Sequence, residues 1–132
     1  MNWSDKFIGI PFKCDGRTRE GCDCWGLVCL VYQEILGIHL PDHKGVFTEQ
    51  SISSLKRVAR AMANERLLWA KVERPQPFDV ILLRSSEFVW HVGIVIDNRR
   101  MLHVEKNVDS IVEDYTGPLW RNRIDEFRHY AR

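Results

Sequence analysis

The stretch Gly21-Cys22-Asp23-Cys24-Trp25-Gly26-Leu27-Val28 decides the fold, because it opens an apolar segment that continues to Leu36 and stops at Gly37. The sequence predicts one helix over residues 23–37. Asp23 is a good N-cap, since its carboxylate can accept hydrogen bonds from the free amides of the first turn, and glycine is favoured where helices end. Cys24 is therefore predicted to lie in the first turn of this helix.

The position of Cys24 favours a nucleophile. Free amides and the helix dipole at an N-terminus stabilise a thiolate relative to a thiol. The alternative is a small core residue packed beside Trp25 and Leu27. Two downstream histidines, His91 and His103, favour the catalytic interpretation, because a cysteine nucleophile needs an imidazole partner.

The composition indicates one globular domain. The chain has 132 residues, enough for one sizeable core and too few for two, so we expect a single domain over residues 1–132. Apolar residues make up 45% and charged residues 28%, which argues against intrinsic disorder. A net charge of +1 gives no electrostatic reason to expect nucleic acid as a partner. No segment approaches the ~20 apolar residues of a membrane helix, so we expect no membrane insertion.

The N-terminal residues and the positions of the cysteines indicate the cellular compartment in which the protein is made. Residues 1–6 are polar and do not resemble a signal peptide, so we expect synthesis in the cytoplasm. All four cysteines lie in the first quarter of the chain, unlike those of a secreted disulfide scaffold, and we expect reduced thiols. Zinc bound by Cys14, Cys22 and Cys24 is an alternative, but Cys-x-Cys spacing suits a structural zinc site poorly. We therefore expect neither a metal nor a cofactor.

The order of predicted elements gives the fold class. A short helix over residues 3–10, a loop over 11–21 and a second helix over 51–68, capped by Ser51 or Ser53, accompany the helix that carries Cys24. Strands follow, predicted over residues 68–72, 79–83, 90–96, 100–104, 110–113 and 124–130. Helices followed by antiparallel strands indicate an α+β domain, with the nucleophile helix packed against a C-terminal sheet.

The two histidines are predicted to lie on the two arms of one hairpin. They are twelve positions apart, and Asp97 and Asn98 suit the turn between the arms. Residues of the same parity then share a face of the sheet, so the two imidazoles should be neighbours. Cys24, His91 and His103 would supply the thiol, the base and the orienting group of a cysteine peptidase. Two histidines with purely structural roles are the alternative.

Four separated motifs resemble those of the NlpC-type cell-wall peptidases, which belong to the papain-like cysteine peptidase superfamily. They are Asp23-Cys24-Trp25-Gly26-Leu27, Asp79-Val80-Ile81-Leu82, His91-Val92-Gly93-Ile94-Val95 and Met101-Leu102-His103-Val104. Residues 7–12, 117–120 and 127–128 are similar to the phage and prophage tail-associated branch. The resemblance implies a papain-like NlpC-type fold.

The same resemblance implies hydrolysis of peptidoglycan stem peptides, typically between γ-D-glutamate and a diamino acid. Tail-associated members open the wall locally during DNA entry, so phage tail proteins would be further partners, and the protein would act on the wall from the virion tail. By position, Cys24 would be the nucleophile, His91 the general base and then acid, and His103 the group that holds the His91 ring. The oxyanion and substrate site would comprise Cys24, through its backbone N–H, with Phe12, Asp23 and Trp25.

The chain departs from the family pattern at four places, one of which is the loop around Cys14 and Asp15, where relatives usually have a Gly-containing loop. Phe12 stands where many relatives have Tyr, and Phe78 stands where a Gly usually precedes the Asp of the second motif. The interval from Cys24 to His91 is long, with residues 51–68 as an extra helix. Phe12 and the altered loop keep open a tail-assembly or wall-binding module with little catalysis. Because related papain-like domains include amidases and acyltransferases, such a reaction on the same fold is a second alternative.

Overall fold

The computed structural model describes residues 2–45, 52–85 and 88–131. Its α-helices are α1 (Cys24–Val31) and α2 (Ile52–Glu65). The strands are β1 (Arg17–Thr18), β2 (Gly21–Cys22), β3 (Trp69–Val72), β4 (Val80–Ser85), β5 (Phe88–Val95), β6 (Arg100–Glu105), β7 (Val108–Asp114) and β8 (Ile124–Tyr130). Within these described ranges, the helices are too short or too polar to cross a membrane.

One antiparallel sheet dominates the structure. Its six strands run in the order β3-β8-β4-β5-β6-β7, while β1 and β2 form a separate pair. Helix α1 packs against β5 and β6, and α2 packs against β5. The predicted α+β class, with N-terminal helices packed on a C-terminal antiparallel sheet, is confirmed, and each predicted strand of the large sheet is found within a few residues of its expected bounds.

The predicted nucleophile helix is confirmed at both ends. Asp23 is the N-cap of α1, and its side chain accepts a hydrogen bond from the backbone N–H of Gly26. After Val31 the chain continues as a π-helical turn over Tyr32–Leu36. Gly37 ends the helical segment with a φ of 67°, a left-handed conformation that glycine adopts without a Cβ penalty.

Three local predictions need correction. The helix expected over residues 3–10 is a 3₁₀ turn, Trp3–Phe7, because the backbone is already extended at Ile8. The loop expected over 11–21 contains the β1–β2 pair, since Arg17 pairs with Cys22 across a tight turn. The helix expected over 51–68 is α2 followed by a 3₁₀ turn, Arg66–Leu68. Its proposed cap Ser51 lies outside the described residues.

Alternation along the strands divides the apolar residues between two faces of the sheet. Val92, Ile94 and Leu102 join the larger core, which contains α1. Val95 and Met101, at neighbouring positions of the same strands, join a smaller core on the other face, which is closed by Trp120. His91 and His103, which like Val95 and Met101 are odd-numbered residues of these strands, point to this second face, where both contact Trp120.

Candidate active site

The cap of α1 fixes the loop that leads to Cys24. Asp23 Oδ1 accepts hydrogen bonds from the Gly26 N–H and from Arg17 Nη1, each at 2.8 Å, and Asp23 Oδ2 accepts one from the Asp15 N–H at 2.9 Å. Asp23 is 2% exposed. Its carboxylate is thus surrounded by donors from its own loop, an arrangement that holds the first turn of α1 in place.

The N-terminus of α1 meets the sheet where β5 separates from β6. The two strands pair at Ile94↔Leu102 and Val95↔Met101. Upstream of this pairing, the Val92 N–H lies near enough to the sulfur of Cys24 to lower the pKa of the thiol. Because Val92 directly follows His91, the thiol of the first helical turn lies against the β5 backbone one residue from the histidine, at the point where the strands diverge.

The predicted proximity of the two imidazoles is confirmed. His91 Nε2 lies 2.9 Å from His103 Nδ1, and both residues are almost completely buried. Trp120 contacts both rings: it stacks on His91 at a centroid distance of 5.8 Å and meets His103 edge-on at 5.0 Å. The rings therefore have little freedom to rotate. The catalytic roles of Cys24, His91 and His103 remain predictions.

The sequence reasoning missed Glu113 and the role of Trp120. Glu113 Oε1 lies 3.3 Å from His103 Nε2, and Glu113 Oε2 accepts a 2.6 Å hydrogen bond from Trp120 Nε1. Glu113 pairs with Met101 in the β6–β7 ladder, so it shares a face with His103. The turn at Lys106 and Asn107 pairs Glu105 with Val108, but the register shifts by one residue between His103 and Glu105. The turn alone would therefore have placed Glu113 on the face opposite His103, so it gives no signal for this contact.

Both Cys24 and His91 are favoured in their uncharged forms in the enzyme without substrate. Burial and, to a smaller extent, the neighbouring Asp23 carboxylate raise the pKa of the Cys24 thiol to about 12, while the N–H groups of Val92 and Trp25 act in the opposite direction. Burial and the neighbouring His103 lower the pKa of His91 well below its usual value. The first-turn amide of Trp25 lowers the pKa of Cys24 in the expected direction, but desolvation outweighs it, so the thiol form is favoured at rest.

Besides Cys24, three residues were predicted to contribute to the oxyanion or substrate site, and the structure shows their surroundings. Phe12 is half-buried and forms a backbone bridge with Cys22. Trp25 is 5% exposed and its Nε1 donates to the Pro41 carbonyl at 2.7 Å. With the Asp23 carboxylate engaged by its own loop, Trp25 and Asp23 support the segment around Cys24 from within the core. The contribution of Phe12, Asp23 and Trp25 to a substrate site stays a prediction.

One group of side chains has the spacing of metal ligands. Among the residues that the structure describes, the ligand atoms of His103, Glu105 and Glu113 lie within 4.8 Å of one another. A nitrogen and carboxylate oxygens suit a divalent transition metal. Cys14, Cys22 and Cys24 form no such group in the described part of the chain, so the zinc alternative has no geometric support.

Comparisons with known proteins add family information to this geometry. The model of the NlpC/P60 family matches residues 9–129. The chain is 27% identical over 120 residues to the murein DD-endopeptidase MepS/murein LD-carboxypeptidase of Escherichia coli K12, and 25% identical over 130 residues to the γ-DL-glutamyl hydrolase of Bacillus subtilis 168. These matches cover 91% and 96% of this chain but 55% and 28% of the two relatives.

Solved structures show the same fold. An NLP/P60 family protein similar to a lipoprotein from Staphylococcus aureus aligns with a TM-score of 0.68 at 23% identity, over 96% of this chain and 38% of that one. The NlpC/P60 domain of the peptidoglycan hydrolase SagA aligns with a TM-score of 0.63 at 18% identity, over 95% of this chain and 91% of that one. The fold around Cys24 and the two histidines is therefore one that known domains share.

Proposed function

The chain belongs to the NlpC/P60 family, and from this premise we propose that it is a cysteine peptidase that hydrolyses the stem peptides of peptidoglycan. The main observation in support of the proposal is that α1 with Cys24, β5 with His91 and β6 with His103 come together at one place in the fold. The first turn of α1 brings Cys24 to β5, and His91 Nε2 lies 2.9 Å from His103 Nδ1. The names of the relatives, a murein endopeptidase and a γ-glutamyl hydrolase, support the substrate class.

The proposed mechanism starts from neutral groups. His91 Nε2 faces His103, so His91 Nδ1 is the atom that accepts the proton of the Cys24 thiol as sulfur attacks the peptide carbonyl carbon. The imidazolium then protonates the leaving amine, and the acyl group remains on sulfur as a thioester. Water attacks this thioester and gives its proton to His91, which returns a proton to the thiolate. The cycle consumes one water for each peptide bond.

The oxyanion needs preorganised donors. Asp23 takes two of the first-turn amides of α1: its side chain accepts from the Gly26 N–H, and its carbonyl accepts from the Leu27 N–H at 3.0 Å. The Cys24 N–H is the first-turn amide next to the reacting sulfur, and we assign the oxyanion to it. Phe12 has no hydroxyl to add a second donor here.

The finer specificity rests on the sequence motifs and on the name of the Bacillus subtilis relative, a γ-DL-glutamyl hydrolase. We propose the bond between γ-D-glutamate and the diamino acid as the site of cleavage, within a single peptidase domain over residues 1–132. The motifs outside the catalytic core support a phage or prophage tail as the carrier, with tail proteins as partners and the cell wall as the place of action. Synthesis in the cytoplasm precedes that assembly.

Product analysis tests the proposal. The protein is incubated with a purified disaccharide tetrapeptide and with its cross-linked dimer, and the products are identified by mass spectrometry. Cleavage after γ-D-glutamate releases a diamino acid joined to D-alanine, whereas an LD-carboxypeptidase releases D-alanine alone and a DD-endopeptidase separates only the dimer. Cys24→Ala should abolish the reaction, and Cys29→Ala, which changes another thiol of α1, should preserve it. Turnover by Cys24→Ala would overturn the proposal.

A further inference from the structure

We propose that Glu113 is a positioning residue that sets the tautomers of both active-site histidines, through a relay from His91 to His103 to Glu113 that Trp120 holds in register. The proposal rests on the catalytic role proposed above for His91. Its physical content, the position of two protons in the resting enzyme, can be measured without any substrate.

The relay follows from the geometry of the four groups. Glu113 Oε1 lies 3.3 Å from His103 Nε2, and His103 Nδ1 lies 2.9 Å from His91 Nε2. An ionised carboxylate only accepts hydrogen bonds, so the neighbouring His103 Nε2 carries the proton. His103 Nδ1 is then the acceptor for the His91 Nε2–H. This leaves the lone pair of His91 on Nδ1, where a base for the thiol is needed.

The opposite arrangement disables the base. If His103 carried its proton on Nδ1, that N–H would donate to His91 Nε2, and the His91 proton would lie on Nδ1. A protonated Nδ1 cannot accept the proton of Cys24. The carboxylate disfavours this arrangement, because it would bring the lone pair of His103 Nε2 against an anionic oxygen at 3.3 Å.

Trp120 fixes the orientation that a glutamine would take at position 113. Its indole N–H is only a donor, and Glu113 Oε2 accepts it at 2.6 Å. In Glu113→Gln the side-chain oxygen must stay with Trp120, so the amide NH₂ faces His103 Nε2. That nitrogen then becomes an acceptor, and both histidines take the inactive tautomers. An isosteric, neutral substitution should therefore reverse the relay.

Glu113→Ala, which removes the side chain, should lose less activity than the isosteric Glu113→Gln. The Glu113 side chain is 25% exposed, so in Glu113→Ala water can enter and accept the proton of His103 Nε2. A role limited to packing would give the opposite order, because glutamine preserves the shape and alanine does not. The order of activity of the two variants thus separates a positioning role from a structural one.

The experiment combines kinetics with tautomer assignment by two-bond ¹H–¹⁵N NMR of protein labelled in histidine. EDTA is present throughout, so that the His103, Glu105 and Glu113 group holds no metal. In the wild type, protons on Nε2 of both histidines are expected, and in Glu113→Gln protons on both Nδ1 atoms. The kcat of Glu113→Gln should fall by about 10²–10⁴-fold with KM unchanged, since a reversed tautomer in a Ser-His-Asp triad costs about 10⁴. Asp109→Asn, an exposed acid on the same strand, should match the wild type.

A second variant provides a rescue. In Glu113→Gln/Trp120→Phe the glutamine is free to turn its oxygen to His103, so the wild-type tautomers should return and kcat should recover relative to Glu113→Gln. Wild-type tautomers in Glu113→Gln, or a Glu113→Gln enzyme more active than Glu113→Ala, would overturn the proposal. The spectra test the relay even if no stem peptide is hydrolysed, so its failure is distinct from that of the proposed function. If the double variant with Trp120→Phe fails to fold, the spectra of the wild type and of Glu113→Gln still test the relay.

Discussion

Replacement of Asp23 by alanine should destabilise the protein strongly, because one buried carboxylate holds three partners. The substitution leaves the Gly26 and Asp15 N–H groups without their acceptor, and it leaves the guanidinium of Arg17 without its 2.8 Å carboxylate partner. The Arg17 side chain is 8% exposed, so water can solvate it only in part.

The magnitude follows from two contributions. Loss of an N-cap costs about 1 kcal/mol. Removal of one partner of a buried ion pair costs about 3–5 kcal/mol, but Arg17 keeps hydrogen bonds to the carbonyls of Gly16 and Asp42, which lowers this figure. We expect a combined loss of about 3–4 kcal/mol in the free energy of unfolding, a large part of the ~5–15 kcal/mol of a typical domain.

Urea denaturation followed by tryptophan fluorescence measures this loss. Asp23→Asn, which keeps an acceptor for the Gly26 N–H but removes the charge, should lose about half as much. Asp15→Asn is the matched control: Asp15 lies 3.6 Å from Arg17 but is 29% exposed, so its loss should stay below about 1 kcal/mol. If Asp23→Ala loses no more than Asp15→Asn, the buried ion pair does not hold the helix start.

Two further predictions concern the pH profile and a strained residue. The pKa of His91 lies below its usual 6.5 and that of Cys24 is about 12. We therefore expect kcat/KM to rise as His91 loses its proton below pH ~6.5 and then to stay level to about pH 9. A kcat/KM that still rises between about pH 7 and 9 would contradict the neutral resting groups. Phe78 has a φ of 75° and stacks on Trp3 at 4.6 Å, so Phe78→Ala loses the stack and keeps the strain, whereas Phe78→Gly loses both. Thermal or urea unfolding should show Phe78→Gly to be about 1 kcal/mol more stable than Phe78→Ala, and equal stability would mean that the left-handed backbone carries no strain.

The parts of the site that follow from local rules could be predicted from the sequence. A capping carboxylate, an apolar run and a glycine stop define the helix that begins at Cys24. A turn at Asp97 and Asn98 sets the parity that brings His91 and His103 onto one face. Each of these inferences needs only a helix terminus or a single hairpin, because neighbours in sequence determine the geometry.

The parts that depend on tertiary packing could not be predicted in this way. The pKa of Cys24 is raised mainly by burial, and burial depends on tertiary packing that a local sequence pattern does not predict. Trp120 reaches the histidines from a loop beyond β7, and its position depends on how that loop folds over the second face of the sheet. Glu113 also could not be predicted from the turn between β6 and β7, since the register shift between His103 and Glu105 is what brings it to the face of His103.

Detection of the acyl-enzyme tests the central claim most directly. Wild-type protein is mixed with excess disaccharide tetrapeptide, quenched in acid within the first turnover, and examined by intact-protein and peptide mass spectrometry. We predict a covalent adduct on Cys24 with the mass of the N-terminal product, absent from Cys24→Ala and retained in Cys29→Ala. Hydrolysis by Cys24→Ala, or wild-type turnover with the acyl group on another residue, would contradict the account.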